Sequence, residues 1–136
     1  MVDAATVAAW LEAHFAPWVR ELDIRVETVE TGRVLLAVPA GSRIARVGGI
    51  VCGQATMALA DTAMALALAT TRGTFVPTTV TQTTTFLRPA RGARLAADAR
   101  VVRAGRTLAY GEITLHDDDP GRPVARATST YMFLES

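Results

Sequence analysis

Between Val51 and Ala69 the chain runs VCGQATMALADTAMALALA, and the carboxylate of Asp61 is the only charge among its alanines, leucines and methionines. An ionised carboxyl is costly to hold in apolar surroundings unless something bonds to it. On a helix its neighbours one turn away are Met57, Ala58, Met64 and Ala65, none of them basic, so a local ion pair is excluded. Two readings stay open. Asp61 is a structural acid tied to hydroxyls or amides of another element, or it is a general base or nucleophile set in an apolar site. Cys52, Gly53 and Gln54 stand at the front of the same stretch. A thiol there becomes a nucleophile when a base serves it, but the two histidines, His14 and His116, fall in a terminal helix and at a strand end. A small buried hydrophobe is the plainer reading of Cys52. Gln54 either hydrogen-bonds at the helix start or reaches a ligand.

These residues need elements to hold them. Alanine favours helix and lets neighbours approach closely, and Gly48, Gly49 and Gly53 mark the entry while Thr70, Thr71 and Gly73 mark the exit. The expected central helix spans about residues 53–71, is roughly 28 Å long, and is apolar on every side, hence buried on nearly every side. Met57, Met64 and Leu68 are expected in the core. The stretch is long enough for a bilayer, but it is built of alanine and holds Asp61 near its centre, at roughly 3 kcal/mol on insertion scales; no membrane span is expected. Val7 to Val19, with Trp10, Leu11, Phe15 and Trp18, predicts an N-terminal helix over about 4–19, broken near Pro17. Ile24–Glu30 and Val34–Val38 predict a hairpin around Thr31-Gly32-Arg33. After the helix the pattern turns to period two in VPTTVTQTTTFLRPA, RLAADARVVRAG, RTLAYGEITLHDDD and PVARATSTYMFLE, four strands rich in β-branched residues. The fold class is α+β: one domain over residues 1–136, with an antiparallel sheet of about six strands wrapped around one long helix.

The whole-chain properties remove several functions. Half the residues are apolar, and the 14 basic residues, all arginine, are scattered and nearly balanced by 13 acids, so nucleic acid is not expected. The single Cys52 allows no internal disulfide and fits a reducing cytoplasm, where the protein is expected to reside. The N-terminus lacks a basic leader and carries Asp3 and Glu12, which argues against a signal peptide.

GGIVCGQATMALADTAMALA, followed in order by TTTFLRPARG, VVRAGRTLAYGEITL and GRPVARATSTYMF, resembles the hotdog-fold acyl-CoA thioesterases, in particular the PaaI-like, phenylacetate-degradation branch. The likeness covers about Gly32 to Leu134. It implies a helix wrapped by an antiparallel sheet, homo-oligomers in which sheets join edge to edge as dimers or dimers of dimers, and hydrolysis of an acyl-CoA thioester without metal or cofactor. The family's helix acid falls on Asp61, and the Ser or Thr that helps hold the attacking water falls on Thr79. Its His-Gly-Gly signature falls on Cys52-Gly53-Gln54, where only the first glycine matches. Gly49 matches a further glycine, and Arg46 stands where a polar residue, commonly Asn, is usual.

Hydrolysing a thioester needs a group that activates water and a donor for the oxyanion that develops on the carbonyl. The start of a long helix offers free amides and a partial positive charge, which suits the Gly53 N–H. Asp61 lies eight residues, about 12 Å, further down the axis. One helix cannot aim both groups at one carbonyl, whereas two antiparallel copies can, so an enzyme of this type must be a dimer. Asp61, Gly53 and Thr79 are therefore the expected catalytic residues, and Arg46, Cys52, Gln54 and Arg88 the expected substrate contacts. Arg91, Arg103 and Arg106 also sit at strand ends where CoA phosphates could meet them. Two alternatives remain: a non-catalytic acyl-CoA-binding protein that has lost the His-Gly-Gly chemistry, and a hotdog dehydratase, disfavoured because no histidine falls in the motif.

Overall fold

A computed structural model describes residues 1–134. The long helix forms as the alanine-rich sequence predicts. It is α3, Gly53–Arg72, following two short N-terminal helices, α1 (Ala4–His14) and α2 (Pro17–Arg20). Cys52 caps its start, and Gly73 ends it in a left-handed conformation, φ 76°, that favours glycine.

Six strands make the main sheet: β1 (Arg25–Glu30), β2 (Arg33–Pro39), β5 (Pro77–Phe86), β6 (Arg94–Ala104), β7 (Leu108–His116) and β8 (Pro123–Phe133). All neighbours are antiparallel, in the order β1-β2-β6-β7-β8-β5. A separate small hairpin, β3 (Ala45–Arg46) and β4 (Ile50–Val51), turns through Gly48 and Gly49, both at positive φ, and delivers the chain to α3. That hairpin was not legible as strands.

The core lies between α3 and one face of the sheet. Leu59, Ala63, Met64, Leu66, Ala67 and Leu68 from the helix are buried with Val34, Leu36, Leu95, Ala97, Ala99, Ile113 and Leu115 from β2, β6 and β7. Alanines along β6 keep that face low, and Gly111 on β7 leaves the space that the Met64 side chain fills. A Cβ at Gly111 would collide with Met64 and come within 3.0 Å of the Arg100 carbonyl. The Gly32 amide at the β1–β2 turn donates to Thr70 Oγ1 at 2.8 Å and pins the far end of the helix.

One feature differs from expectation. The helix is open along one strip, and Met57, expected in the core, is 40% exposed there. The break expected near Pro17 is present: Phe15 and Ala16 are extended, and Pro17 restarts the helix at its first turn.

Candidate active site

Gln54, Met57, Ala58 and Asp61 recur at helical spacing along the open strip of α3. They line one wall of a pocket of about 420 Å³, closed elsewhere by Phe15, Trp18 and Val19 from the N-terminal segment and by Thr79 and Gln82 from β5. Met64 and Leu68, one turn and two turns further on, are fully buried in the core.

The Asp61 carboxylate is held from the sheet. Thr79 Oγ1 donates to Asp61 Oδ1 at 2.7 Å. The Tyr131 hydroxyl donates to the same Oδ1 and lies 2.8 Å from the Asp61 carbonyl oxygen. Burial first, and then the adjacent Asp61 carboxylate, push the Tyr131 phenol above its ordinary value of 10.0, so it stays protonated and can only donate here. Both hydroxyls come to one point because Thr79 and Tyr131 face each other across β5 and β8. Just beyond, the register shifts between Thr79 and Thr81, leaving Val80 as a bulge. The bulge turns Gln82 rather than Thr81 toward the pocket. No residue among those described donates to Asp61 Oδ2.

Tyr131 was missed in the sequence. Its signal was present: in ATSTYMF the alternation buries Ala127, Ser129 and Tyr131 together, and a buried phenol needs a partner.

At the other end of the strip, Gly53 borders a second pocket of about 400 Å³, with Arg46, Thr56, Phe86, Arg88 and Val124 around it. A Cβ at Gly53 would meet the Phe86 ring at 3.3 Å, so glycine keeps this approach open. Among the described residues nothing takes up the Gly53 N–H, a free donor at the positive end of the helix. The neighbouring Cys52 is turned inward as the cap, its Sγ accepting from the Ala55 N–H at 3.4 Å.

The expected residues thus divide between the two pockets. Asp61, Thr79 and Gln54 share one, while Gly53, Arg46 and Arg88 share the other. Arg46 is exposed on β3. Arg88 is committed within the chain: its Nη1 and Nη2 donate to the two Asp117 oxygens at 3.1 and 2.9 Å, holding that carboxyl below the usual range. Arg91 donates to the Gly48 carbonyl at 3.0 Å. His116 is buried at the end of β7 with Nδ1 against the Asp117 carbonyl, and His14 stacks on Phe75, so neither imidazole serves the site.

A long helix cradled by one antiparallel sheet, with a hydroxyl-anchored carboxylate on the helix, defines a hotdog-fold protein. The model of the thioesterase superfamily matches residues 48–124, more than half of the sequence, and the chain belongs to that superfamily. A protein of Thermoplasma volcanium, named provisionally as an esterase, is 28% identical over 119 residues, covering 88% of this chain and 89% of its own. The medium/long-chain acyl-CoA thioesterase YigI of Salmonella typhimurium is 43% identical over 47 residues, 35% of this chain and 30% of that one. Among solved structures, a mutant of the phenylacetic acid degradation protein PaaI from Thermus thermophilus superposes with a TM-score of 0.77 at 28% identity, covering 88% of this chain and 100% of that one. The resemblance to hotdog thioesterases is confirmed, with a PaaI structure among those it superposes on, and membership supports thioester hydrolysis as the class of reaction.

Proposed function

We propose that this protein hydrolyses acyl-CoA thioesters at a site shared by two subunits. The observation that carries the reading is the Asp61 carboxylate, anchored through Oδ1 by Thr79 and Tyr131 while Oδ2 has no donor among the described residues, at the edge of an apolar pocket. A carboxylate fixed on one oxygen presents the other to a water. In the reaction Oδ2 takes a proton from that water as its oxygen attacks the thioester carbonyl carbon. The negative charge that moves onto the carbonyl oxygen is met by the Gly53 N–H of the partner subunit. Collapse of the tetrahedral intermediate breaks the carbon–sulfur bond, and the CoA thiolate leaves with the acid as the other product. Arg46, at the mouth of the Gly53 pocket, is positioned for the CoA phosphates, while Arg88 shapes that pocket through its hold on Asp117. The lone cysteine fits a reducing compartment such as the cytoplasm.

A second reading has one observation in its favour. Where the family carries a histidine, Cys52 is used up as a helix cap, so the site has no imidazole. A binder that holds acyl-CoA without cleaving it would look the same at that position.

Release of free CoA from a panel of acyl-CoA esters, followed with a thiol reagent, separates the two. The native protein is expected to turn over, and Asp61→Asn to lose about 100-fold or more while still binding ester. Equal rates in both proteins would remove Asp61 from the chemistry, and saturable binding with no turnover by the native protein would make it a binder.

A further inference from the structure

The pocket beside Asp61 is walled by an aromatic residue that the fold leaves uncovered. Trp18 is 58% exposed although it sits on a helix of only four residues. That helix is firmly fixed in place. Val19 is buried beside Trp18, Arg20 is paired with Glu12 of α1 at 3.2 Å, and the preceding Phe15 packs edge-on against Phe75 at 5.3 Å. Met57, facing it from α3, is also open. Two large apolar side chains that line one pocket with the Asp61 carboxylate and touch solvent in the single chain mark a surface for an apolar group.

Charge decides which part of an acyl-CoA this is. Among the described residues the only charged side chain lining this pocket is Asp61 itself, which repels phosphates, whereas the Gly53 pocket has the exposed Arg46 in its lining. We infer that Trp18, with Met57 opposite, is the wall against which the acyl group of the substrate lies, and that the α1–α2 segment sets acyl selectivity. The class of acyl group it admits is neutral and apolar. An acyl chain ending in a second carboxylate is rejected, because it would be desolvated against Trp18 with no cation in the pocket. This inference rests on the proposed thioesterase reading for its substrate, but its binding half can be tested without turnover.

Two measurements test it. In the first, kcat/KM is measured for straight-chain acyl-CoA esters from acetyl to dodecanoyl and for their ω-carboxylated counterparts, with native protein, Trp18→Phe and Trp18→Ala. Trp18→Ala should lose about tenfold on the favoured longer chains, mostly through KM, with little change on acetyl-CoA, and Trp18→Phe should keep most of the native preference. A profile that is unchanged in Trp18→Ala, or that falls in parallel for every chain length, overturns the assignment. In the second, Trp18 is made the only indole by Trp10→Phe, and Asp61→Asn is added to stop cleavage; the emission is followed as acyl-CoA or CoA alone is added. Ester should change the emission and CoA should not. A response to CoA alone, or to neither, overturns the inference. A response to ester from a protein whose native form releases no CoA keeps the acyl wall and overturns hydrolysis instead.

Discussion

Thr79 and Tyr131 do different work on the same oxygen of Asp61. The threonine hydroxyl can rotate and both donate and accept, whereas the buried phenol is a fixed donor because its proton is held more tightly than in water. In the proposed mechanism Tyr131 is a positioning residue that acts through Asp61. Tyr131→Phe should lower kcat about tenfold with little change in KM, and Thr79→Ser should keep most of the activity that Thr79→Val loses. The same phenol leaves a mark on stability. Its folded-state value is raised, so the stability it contributes is whole below the ordinary value of 10.0 and is lost as pH climbs through and beyond it. Thermal midpoints measured from pH 8 upward should thus fall more steeply in the native protein than in Tyr131→Phe, and parallel curves would show that the phenol is not held this way. Asp61 and Thr79 were legible from the sequence, the first from its isolation on an apolar helix and the second only through the family resemblance. Tyr131 was not, because its place opposite Thr79 depends on strand register, and register is fixed by the Val80 bulge that a period-two pattern does not show.

The elements were legible where hydrophobic period and turn residues agree, as in α3 and the four strands after it. What stayed hidden is the open strip of α3. An alanine-rich helix has little contrast between faces, so Met57 on the pocket looked no different from Met64 in the core. Charge was similarly ambiguous at the strand ends, where sequence alone offers Arg88 to a ligand and the structure gives it to Asp117. That pair ties the segment after β5 to the end of β7, and with the Arg91 amide on Asp117 it holds the floor of the Gly53 pocket. Arg88→Ala should lower the thermal midpoint at neutral pH, since it leaves a carboxylate with a side-chain exposure of only 10% without its ion-pair partner. Asp117 titrates below its ordinary value of 3.8, so the stability from this pair is present above that value and lost as pH falls through it. The gap between Arg88→Ala and native protein should accordingly narrow in acid. A gap that stays constant down to pH 2, or an unchanged midpoint joined to a large rise in KM for acyl-CoA, would return Arg88 to the substrate.

In the whole molecule Gly53 and Asp61, the proposed oxyanion donor and base, stand on one helix about 12 Å apart, in separate pockets. A thioester carbonyl cannot reach both within a single subunit. The sheet offers the remedy at β5, which pairs with β8 on one side and, among the described residues, has no partner on the other, while carrying Thr79 and the exposed Val80 and Phe86. In the dimer we propose, a second copy pairs at this edge and a two-fold axis beside it sets the helices antiparallel, bringing each Asp61 toward the opposite Gly53. This arrangement has a consequence that a one-subunit site lacks. Gly53→Pro removes the amide proton at a first-turn helical position where proline is well accommodated, and the preceding Cys52, at φ −68° and ψ 149°, already has the backbone that proline demands. Gly53→Pro and Asp61→Asn should each be inactive, while Gly53→Ala, which keeps the N–H, retains part of the activity. If the two inactive proteins are mixed and their subunits exchanged, half the dimers become mixed, and each mixed dimer holds one intact site and one doubly damaged site. Activity should then return to about a quarter of the native level. A mixture that stays inactive after exchange has been verified would place base and oxyanion donor in the same subunit, and the shared site would have to be abandoned.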